Sequence, residues 1–351
     1  MKEGGLKGAL TSLLDFSDWA DGRIWSCVET LEPAQFTQHL DYSVGSIRDQ
    51  LAHTLGAERA WLSRMQGEET AALWSDYTQF PDIAATRNAA KQAREALREH
   101  LADLNETSLR EYYRWPMPPG RDDPPYPRWL TLLQLVNHGT DHRSQILLQL
   151  ARHFKAPTCE IDLSRYWRLR SQTIRTANSG EFPITVMRSL FRYHQWAMDR
   201  VWQSVAEVAE SEFTQPLAYS VGSIQQQLVH ILNAERYWLR RLGAPSLPSL
   251  IDLAALDRAS LQEIAAEQER WKAAWLSELD DAALMRLHSF HHPDSPSRLS
   301  WAKWQVLLHV VNHSIEHRAQ ILAQLNQQFD AETDAQDLLY FWQSAEAKQF
   351  S

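Results

Sequence analysis

Cysteine is scarce in this chain. Only Cys27 and Cys159 occur among 351 residues, and they form no C-x-x-C spacing. That scarcity argues against a disulfide-stapled scaffold and against a cysteine-based zinc site. The usual sequence signatures of a nucleophile elbow, a P-loop or a dinucleotide-binding turn are also missing. The chemistry of this protein is therefore expected to lie in other residue types.

Positive charge and long apolar runs are scarce as well. The formal net charge is −9 and the pI is about 5.9, with no concentrated block of Lys and Arg. Binding to a phosphate backbone has no electrostatic support, so we expect no nucleic-acid partner. No window approaches the apolar length of a membrane span, and the first twenty residues do not resemble a signal peptide. We therefore expect no membrane partner and a cytoplasmic protein.

Histidine carries the most informative pattern. The stretch VNHGTDHRSQ at residues 136–145 occurs again as VNHSIEHRAQ at residues 311–320. Each copy holds two histidines four residues apart, which on an α-helix lie about 40° apart around the axis and about 6 Å apart along it. That spacing suits two imidazoles on one metal ion, provided that a third ligand comes from elsewhere.

The repetition recurs at further places along the chain, although the third helices and the proline-rich passages of the two copies show little resemblance. YSVGSIRDQLAH (42–53) matches YSVGSIQQQLVH (219–230), and AERAWLSR (57–64) matches AERYWLRR (234–241). The Asp-Leu pair at Asp162 corresponds to the pair at Asp337. The sequence thus predicts two domains, residues 1–170 and 184–351, joined by a linker at 171–183.

Each copy is predicted to contain four helices, so the fold class is all-α. Apolar residues at spacings of three and four, strong helix formers and a Ser/Gly turn before the second helix support this prediction. A proline-rich passage separates the third and fourth helices and favours short extended segments or a hairpin. The predicted helices span about 11–31, 83–105 and 129–153 in the first copy, where a further helix follows the YSVGS turn and carries His53 and AERAWL. In the second copy a third helix is predicted at about 253–279 and a fourth at 301–329.

The second helix of each copy supplies the missing histidine. His53 joins His138 and His142 in the first copy. Three protein ligands leave a coordination position open, as in catalytic metal sites, and a helical bundle can gather them from facing helices. A neutral imidazole suits zinc, nickel, copper or iron. The same prediction for the second copy names His230, His313 and His317.

Other polar residues near the histidines receive lesser roles. Asp141 lies well round the helix from the ligand direction, so we expect it at the surface or in contact with a ligand rather than as a base. Gln145 and Gln320 lie closer and either orient an imidazole or are satisfied by the backbone. Glu58 and Glu235 are predicted to form ion pairs. His309, which stands where the first copy has a glutamine, is treated as incidental. No catalytic residue is identified.

On these residues the chain resembles the DinB/YfiT-like superfamily. The resemblance rests on the LxH histidines of the second helix, the NHxxxHRxQ motif of the fourth helix, the early tryptophans and the late Asp-Leu pairs, and it covers nearly the whole chain twice. It implies tandem up-down-down-up four-helix bundles. It also implies a divalent metal, often zinc or nickel, on His53, His138 and His142 and on His230, His313 and His317.

The resemblance also implies a reaction class. Characterised members of the superfamily include transferases of low-molecular-weight thiols, so we expect a metal-dependent enzyme that acts on a small thiol or thiol adduct. Two alternatives remain open at this stage: a non-catalytic metal-binding or scaffold protein, and a metal-assisted hydrolase. The two copies are a tandem version of domains that commonly dimerise.

That tandem arrangement leads to a first prediction. We expect the two copies to pair as an intramolecular pseudo-dimer, because single-domain relatives commonly pair in this way. Small-angle X-ray scattering of the purified chain should then give the profile of one particle. A profile that requires two separated, independently tumbling lobes would contradict the prediction.

Overall fold

The structure is a computed structural model that describes residues 5–68, 77–114, 125–170, 182–216, 220–244, 249–252, 256–292, 295 and 298–344. Within these ranges the fold is all-α, as predicted, with two short hairpins. No helix in this part of the chain is long and apolar enough to cross a bilayer. The predicted linker lies outside the described residues except for its last two, and so does much of the first proline-rich passage.

The described part of residues 5–159 contains four long α-helices, two short ones and a 3-10 turn at Tyr77–Gln79. The long helices agree with the prediction to within a few residues, except that the first begins earlier, and α6 continues into a single π-helical turn at Leu150–Phe154. The elements are α1 (Gly5–Val28), α2 (Pro33–Thr37), α3 (Ile47–Gln66), α4 (Ile83–Asp103), α5 (Glu106–Arg110), strands β1 (Tyr112–Tyr113) and β2 (Tyr126–Pro127), and α6 (Arg128–Gln149).

The second repeat has the same order of elements. Its hairpin is longer, with four residues in each antiparallel strand. The elements from the end of the first repeat onward are α7 (Leu163–Arg170), α8 (Ile184–Ala206), α9 (Glu210–Phe213), α10 (Ile224–Arg241), α11 (Arg258–Ser277), α12 (Asp281–Met285), β3 (Leu287–Phe290), β4 (Leu299–Ala302), α13 (Lys303–Phe329) and α14 (Leu338–Gln343).

The second long helices of the two repeats, α3 and α10, carry His53 and His230 and begin at matching N-terminal caps. The Ser46 hydroxyl accepts a hydrogen bond from the Asp49 N–H (3.1 Å), and the Asp49 carboxylate accepts one from the Ser46 N–H (3.1 Å). Ser223 and Gln226 make the same reciprocal pair at the start of α10. Such a capping box satisfies two N–H groups that the first turn leaves without helical partners. The cap fixes where each helix starts, and therefore which face of the helix His53 or His230 occupies.

The four long helices of each repeat pack in the same circular order. α6 packs against both α1 and α3, and α4 closes the ring between them. In the second repeat α13 packs against α8 and α10, with α11 closing the ring. The fourth helix is accordingly the most buried, and almost every residue of α13 from Lys303 to Leu325 is buried. This order places the second and fourth helices, which carry the histidines, side by side.

The chain divides into two compact units that do not coincide with the linear repeats. One unit contains the described residues up to Cys159 together with those from Ala335 onward, and the other contains Glu160–Asp334. The closing helix of each repeat therefore lies in the unit formed by the other repeat. Buried tryptophans anchor these segments: Trp167 packs on Trp304 with ring centroids 6.1 Å apart, and Trp342 packs on Trp129 at 6.1 Å.

Each unit also places a glutamate of the second helix in an ion pair with the third helix, and the sequence predicted an ion pair for both glutamates. Glu58 pairs with Arg94. Glu235 accepts from Lys272 Nζ (3.0 Å), and its other oxygen lies 2.7 Å from His194 Nε2. Glu235 and Lys272 are almost completely buried. A buried charge of this kind is tolerated only when it is paired.

That pairing predicts a large loss of stability in Glu235→Gln. The substitution keeps the shape of the side chain but leaves the Lys272 charge with Glu269 alone, at 2.7 Å. We expect the free energy of unfolding to fall by about 3 kcal/mol, which is the low end of the cost of breaking a buried ion pair. Urea denaturation checks this value. Glu210→Gln, which removes the more exposed partner of Arg258, is the control and should cost less than about 1 kcal/mol. Equal losses in the two variants would contradict the prediction.

Candidate metal centre

Three histidines meet between α3 and α6. His53 comes from α3, whereas His138 and His142 come from successive turns of α6. The ring centroids lie 5.1 Å (His53 to His138), 4.9 Å (His53 to His142) and 4.5 Å (His138 to His142) apart. One nitrogen of each ring lies within 4.8 Å of the corresponding nitrogens of the other two. The structure therefore brings the predicted residues together.

The other unit repeats this arrangement between α10 and α13. The centroids of His230, His313 and His317 lie 4.6 to 5.0 Å apart. Their ring nitrogens satisfy the same 4.8 Å limit. Two sequence stretches that have diverged elsewhere thus build the same constellation.

The spacing of the ring nitrogens fits a shared cation. The Nε2 atoms of His53 and His138 are 3.2 Å apart, and those of His230 and His313 are 3.0 Å apart. Two imidazole nitrogens bound tetrahedrally at about 2.0–2.1 Å from one zinc ion would lie about 3.3–3.4 Å apart. The donor set also fits, because neutral imidazole is a common ligand of zinc, nickel and copper.

A glutamine of the second helix orients one histidine in each unit. His142 Nδ1 lies 3.3 Å from Gln50 Oε1, and His317 Nδ1 lies 3.4 Å from Gln227 Oε1. If the ring N–H donates to the amide oxygen, the tautomer is set and Nε2 keeps its lone pair for a metal. Both glutamines are completely buried, so their side chains are held in place.

The remaining ring nitrogens have partners that differ between the units. His53 Nδ1 lies 3.2 Å from the Tyr77 hydroxyl. His313 Nδ1 lies 3.2 Å from Asp162 Oδ2. Burial by itself would raise the pKa of the Asp162 carboxyl, but the imidazoles of His309 and His313 outweigh it and hold this pKa well below its usual range. Asp162 is therefore an anion at neutral pH.

Five of the six candidate histidines are held in the neutral form that binds metals. Burial, reinforced by a neighbouring imidazole, lowers the pKa of His53 and that of His230 to about 4. Burial also lowers the pKa of His138 and takes the pKa values of His142 and His317 well below 6.5. Removal from water disfavours the imidazolium ion. No proton therefore has to leave these rings before a metal binds at neutral pH.

The polar residues next to the motif have local roles. Gln145 Nε2 donates to Asp141 Oδ2 at 2.7 Å, so the amide that could have oriented an imidazole is bonded to Asp141. This pairing agrees with the expectation that Asp141 is not positioned as a direct base.

Sequence reasoning missed four residues near the two centres. Gln50 and Gln227 stand three residues before the second-helix histidines in both copies, and this repetition was a usable signal. Asp162 was noted only as part of the repeat. His309, treated as incidental, lies 3.5 Å from Asp162 through Nδ1. No signal in the sequence linked these last two, because they are far apart along the chain.

The comparison with protein families decides the class of this protein. The model of the DinB family matches residues 6–158 and again residues 178–345. The chain belongs to the DinB family. The two matches are consistent with a tandem duplication of a DinB-like domain. No curated protein matches the chain, so its reaction must be argued from the site itself.

The lowered pKa values predict a pH-dependent stability of the metal-free protein. In the unfolded chain a histidine takes up its proton near pH 6.5, whereas folded His53 and His230 do so near pH 4. Between these values the unfolded state binds more protons, so stability is complete above pH 6.5 and falls as the pH drops towards 4. Melting temperatures recorded with a chelator from pH 8 to 4 test this dependence.

Substitution should reveal the source of this pH dependence. The double variant His53→Gln/His230→Gln removes two of the titrating groups, so its melting temperature should fall less steeply below pH 6.5. His39→Gln, which changes an exposed histidine, should follow the parent curve. A double variant as steep as the parent would show that other groups cause the loss.

Proposed function

We propose that each unit of this DinB-family protein binds one divalent metal ion on its three histidines, and that the protein uses these centres to transfer a small thiol. The observation that carries the proposal is the open donor set. In the described part of the chain, no further His, Cys, Asp or Glu completes either group of three around the shared position. A structural site normally has four protein ligands, whereas a catalytic site keeps a position for substrate or water.

The chemistry of the site suits an acidic ligand such as a thiol. When bound, a divalent ion supplies Lewis acidity and lowers the pKa of a thiol or a water molecule beside it. The protein contributes neutral imidazoles, glutamine oxygens that fix two of the rings, and burial that strengthens electrostatic interactions.

The thiol has to come from a co-substrate. Cys27 is buried, and burial, with Cys27 as a neighbour, raises the pKa of Cys159 to about 12. A thiol with such a pKa is almost entirely protonated at neutral pH and is a poor nucleophile. This supports a reaction in which a low-molecular-weight thiol enters the open position of the metal centre, and it argues against covalent catalysis by the protein's own cysteines.

The first test is the metal content of untagged protein, measured by mass spectrometry. We expect one ion per unit, and therefore two per chain, because each unit has a complete three-histidine set. His138→Ala and His313→Ala should each retain one. His39→Ala is the matched control and should retain both. A chain that binds neither zinc nor nickel after incubation would contradict the proposal.

Activity is the second part of this test. Zinc- or nickel-loaded protein is assayed with glutathione or bacillithiol and electrophilic acceptors, and thiol consumption is followed. Turnover that requires the thiol and is lost in His142→Ala/His317→Ala is expected. Hydrolysis without any thiol would point to the hydrolase instead, and bound metal without either reaction would favour a non-catalytic metal-binding protein.

A further inference from the structure

The closing helix of the first repeat brings an acidic residue to the metal centre of the other unit. α7 lies in the same unit as α13, and its Trp167 is almost completely buried against Trp304 and Trp301. Asp162 immediately precedes α7 and is half-buried. A residue of the first repeat thus belongs structurally to the site of the second.

One oxygen of Asp162 is fixed by the start of α7. Oδ1 accepts hydrogen bonds from the backbone N–H of Ser164 (2.8 Å) and of Arg165 (3.2 Å), and from the Ser164 hydroxyl. These donors include N–H groups that the first turn of a helix leaves without a partner, and Asp is well suited to accept from them. The carboxylate is therefore held in one orientation before any ligand arrives.

The other oxygen of Asp162 faces a candidate metal ligand. Oδ2 lies 3.2 Å from His313 Nδ1, while the Nε2 atom of the same ring lies 3.0 Å from His230 Nε2. The imidazole thus presents one nitrogen to the carboxylate and the other to the metal position. A carboxylate in this place fixes the tautomer and orientation of a ligating histidine and raises its basicity.

We propose that Asp162 is a positioning residue of the metal centre formed by His230, His313 and His317, so that this centre is completed by the closing segment of the other repeat. The inference rests on the proposed metal binding and adds a residue that the three-histidine motif does not contain. Asp162 does not replace a ligand. It acts through His313.

The two centres are not equivalent in this respect. In the other unit the corresponding Asp337 accepts a hydrogen bond from Gln134 Nε2 at 3.0 Å. Gln134 occupies the position that His309 has in the second repeat. Asp337 lies near enough for its charge to act on His138, but its carboxylate is shared with an amide. We therefore expect the carboxylate to contribute more to metal affinity at the centre near Asp162 than at the centre near Asp337.

The test isolates one centre at a time. In the His142→Ala background, only the centre served by Asp162 keeps its three histidines, and Zn²⁺ affinity is measured by competition with a chelating indicator. Adding Asp162→Asn should weaken binding about 10- to 100-fold, the usual effect of losing the partner of a ligating histidine. Asn caps a helix about as well as Asp, so α7 should remain in place while the charge is lost.

Three controls separate positioning from a general structural effect. In the His317→Ala background, which leaves only the other centre, Asp162→Asn should not change Zn²⁺ affinity. The melting temperature of the metal-free protein should also stay close to that of its parent. In Co²⁺-loaded protein, the visible ligand-field bands of the centre served by Asp162 should shift. A purely structural role would leave these bands unchanged in the fraction that still binds.

Each contrary outcome has a distinct meaning. Equal affinities with and without Asp162→Asn would overturn the positioning role and leave the proposed metal function intact. Failure of both parent backgrounds to bind Zn²⁺ would overturn the metal function and this inference together. A further metal equivalent in the wild type that His309→Gln removes would make Asp162 a ligand of a second ion, which would also overturn the positioning role.

Discussion

The close approach of imidazoles between the second and fourth helices is the constraint on which each centre depends. Ring nitrogens 3.0 to 3.2 Å apart would repel one another if both rings were protonated, so the arrangement depends on burial, which disfavours the charged form of an imidazole. Burial in turn requires the circular packing in which the fourth helix contacts the first and the second. The ligand set and the bundle core are therefore parts of one arrangement.

A comparison of the residues around the two histidine centres shows which contacts both units keep and which differ. The glutamine that faces the last histidine is present in both units, as Gln50 and Gln227. The paired glutamate of the second helix is also retained, but its partner on the third helix is arginine in one unit and lysine in the other. Arginine and lysine both fit this position because a carboxylate removed from water needs a cation nearby, and either residue supplies one.

The exchanged closing segments add a dependence that neither repeat has alone. A buried tryptophan on each segment anchors it in the unit of the other repeat, and an aspartate just before each segment lies near a histidine centre. Because one carboxylate contacts a histidine directly and the other contacts a glutamine, a duplicated chain has produced two centres that have matching histidines and different surroundings.

The sequence alone was sufficient for the class of fold, the duplication and the grouping of histidines. Helical periodicity and a spacing of four residues are local properties, and a comparison of the two copies showed which second-helix histidine belonged with each pair. The tertiary structure decided the contacts of Gln50 and Gln227 with the rings, the place of Asp162 and His309, and the division into units. These depend on packing between segments more than eighty residues apart, where no local rule specifies which side chains meet. A carboxylate of one repeat that contacts a histidine of the other can be found only once the chain is folded.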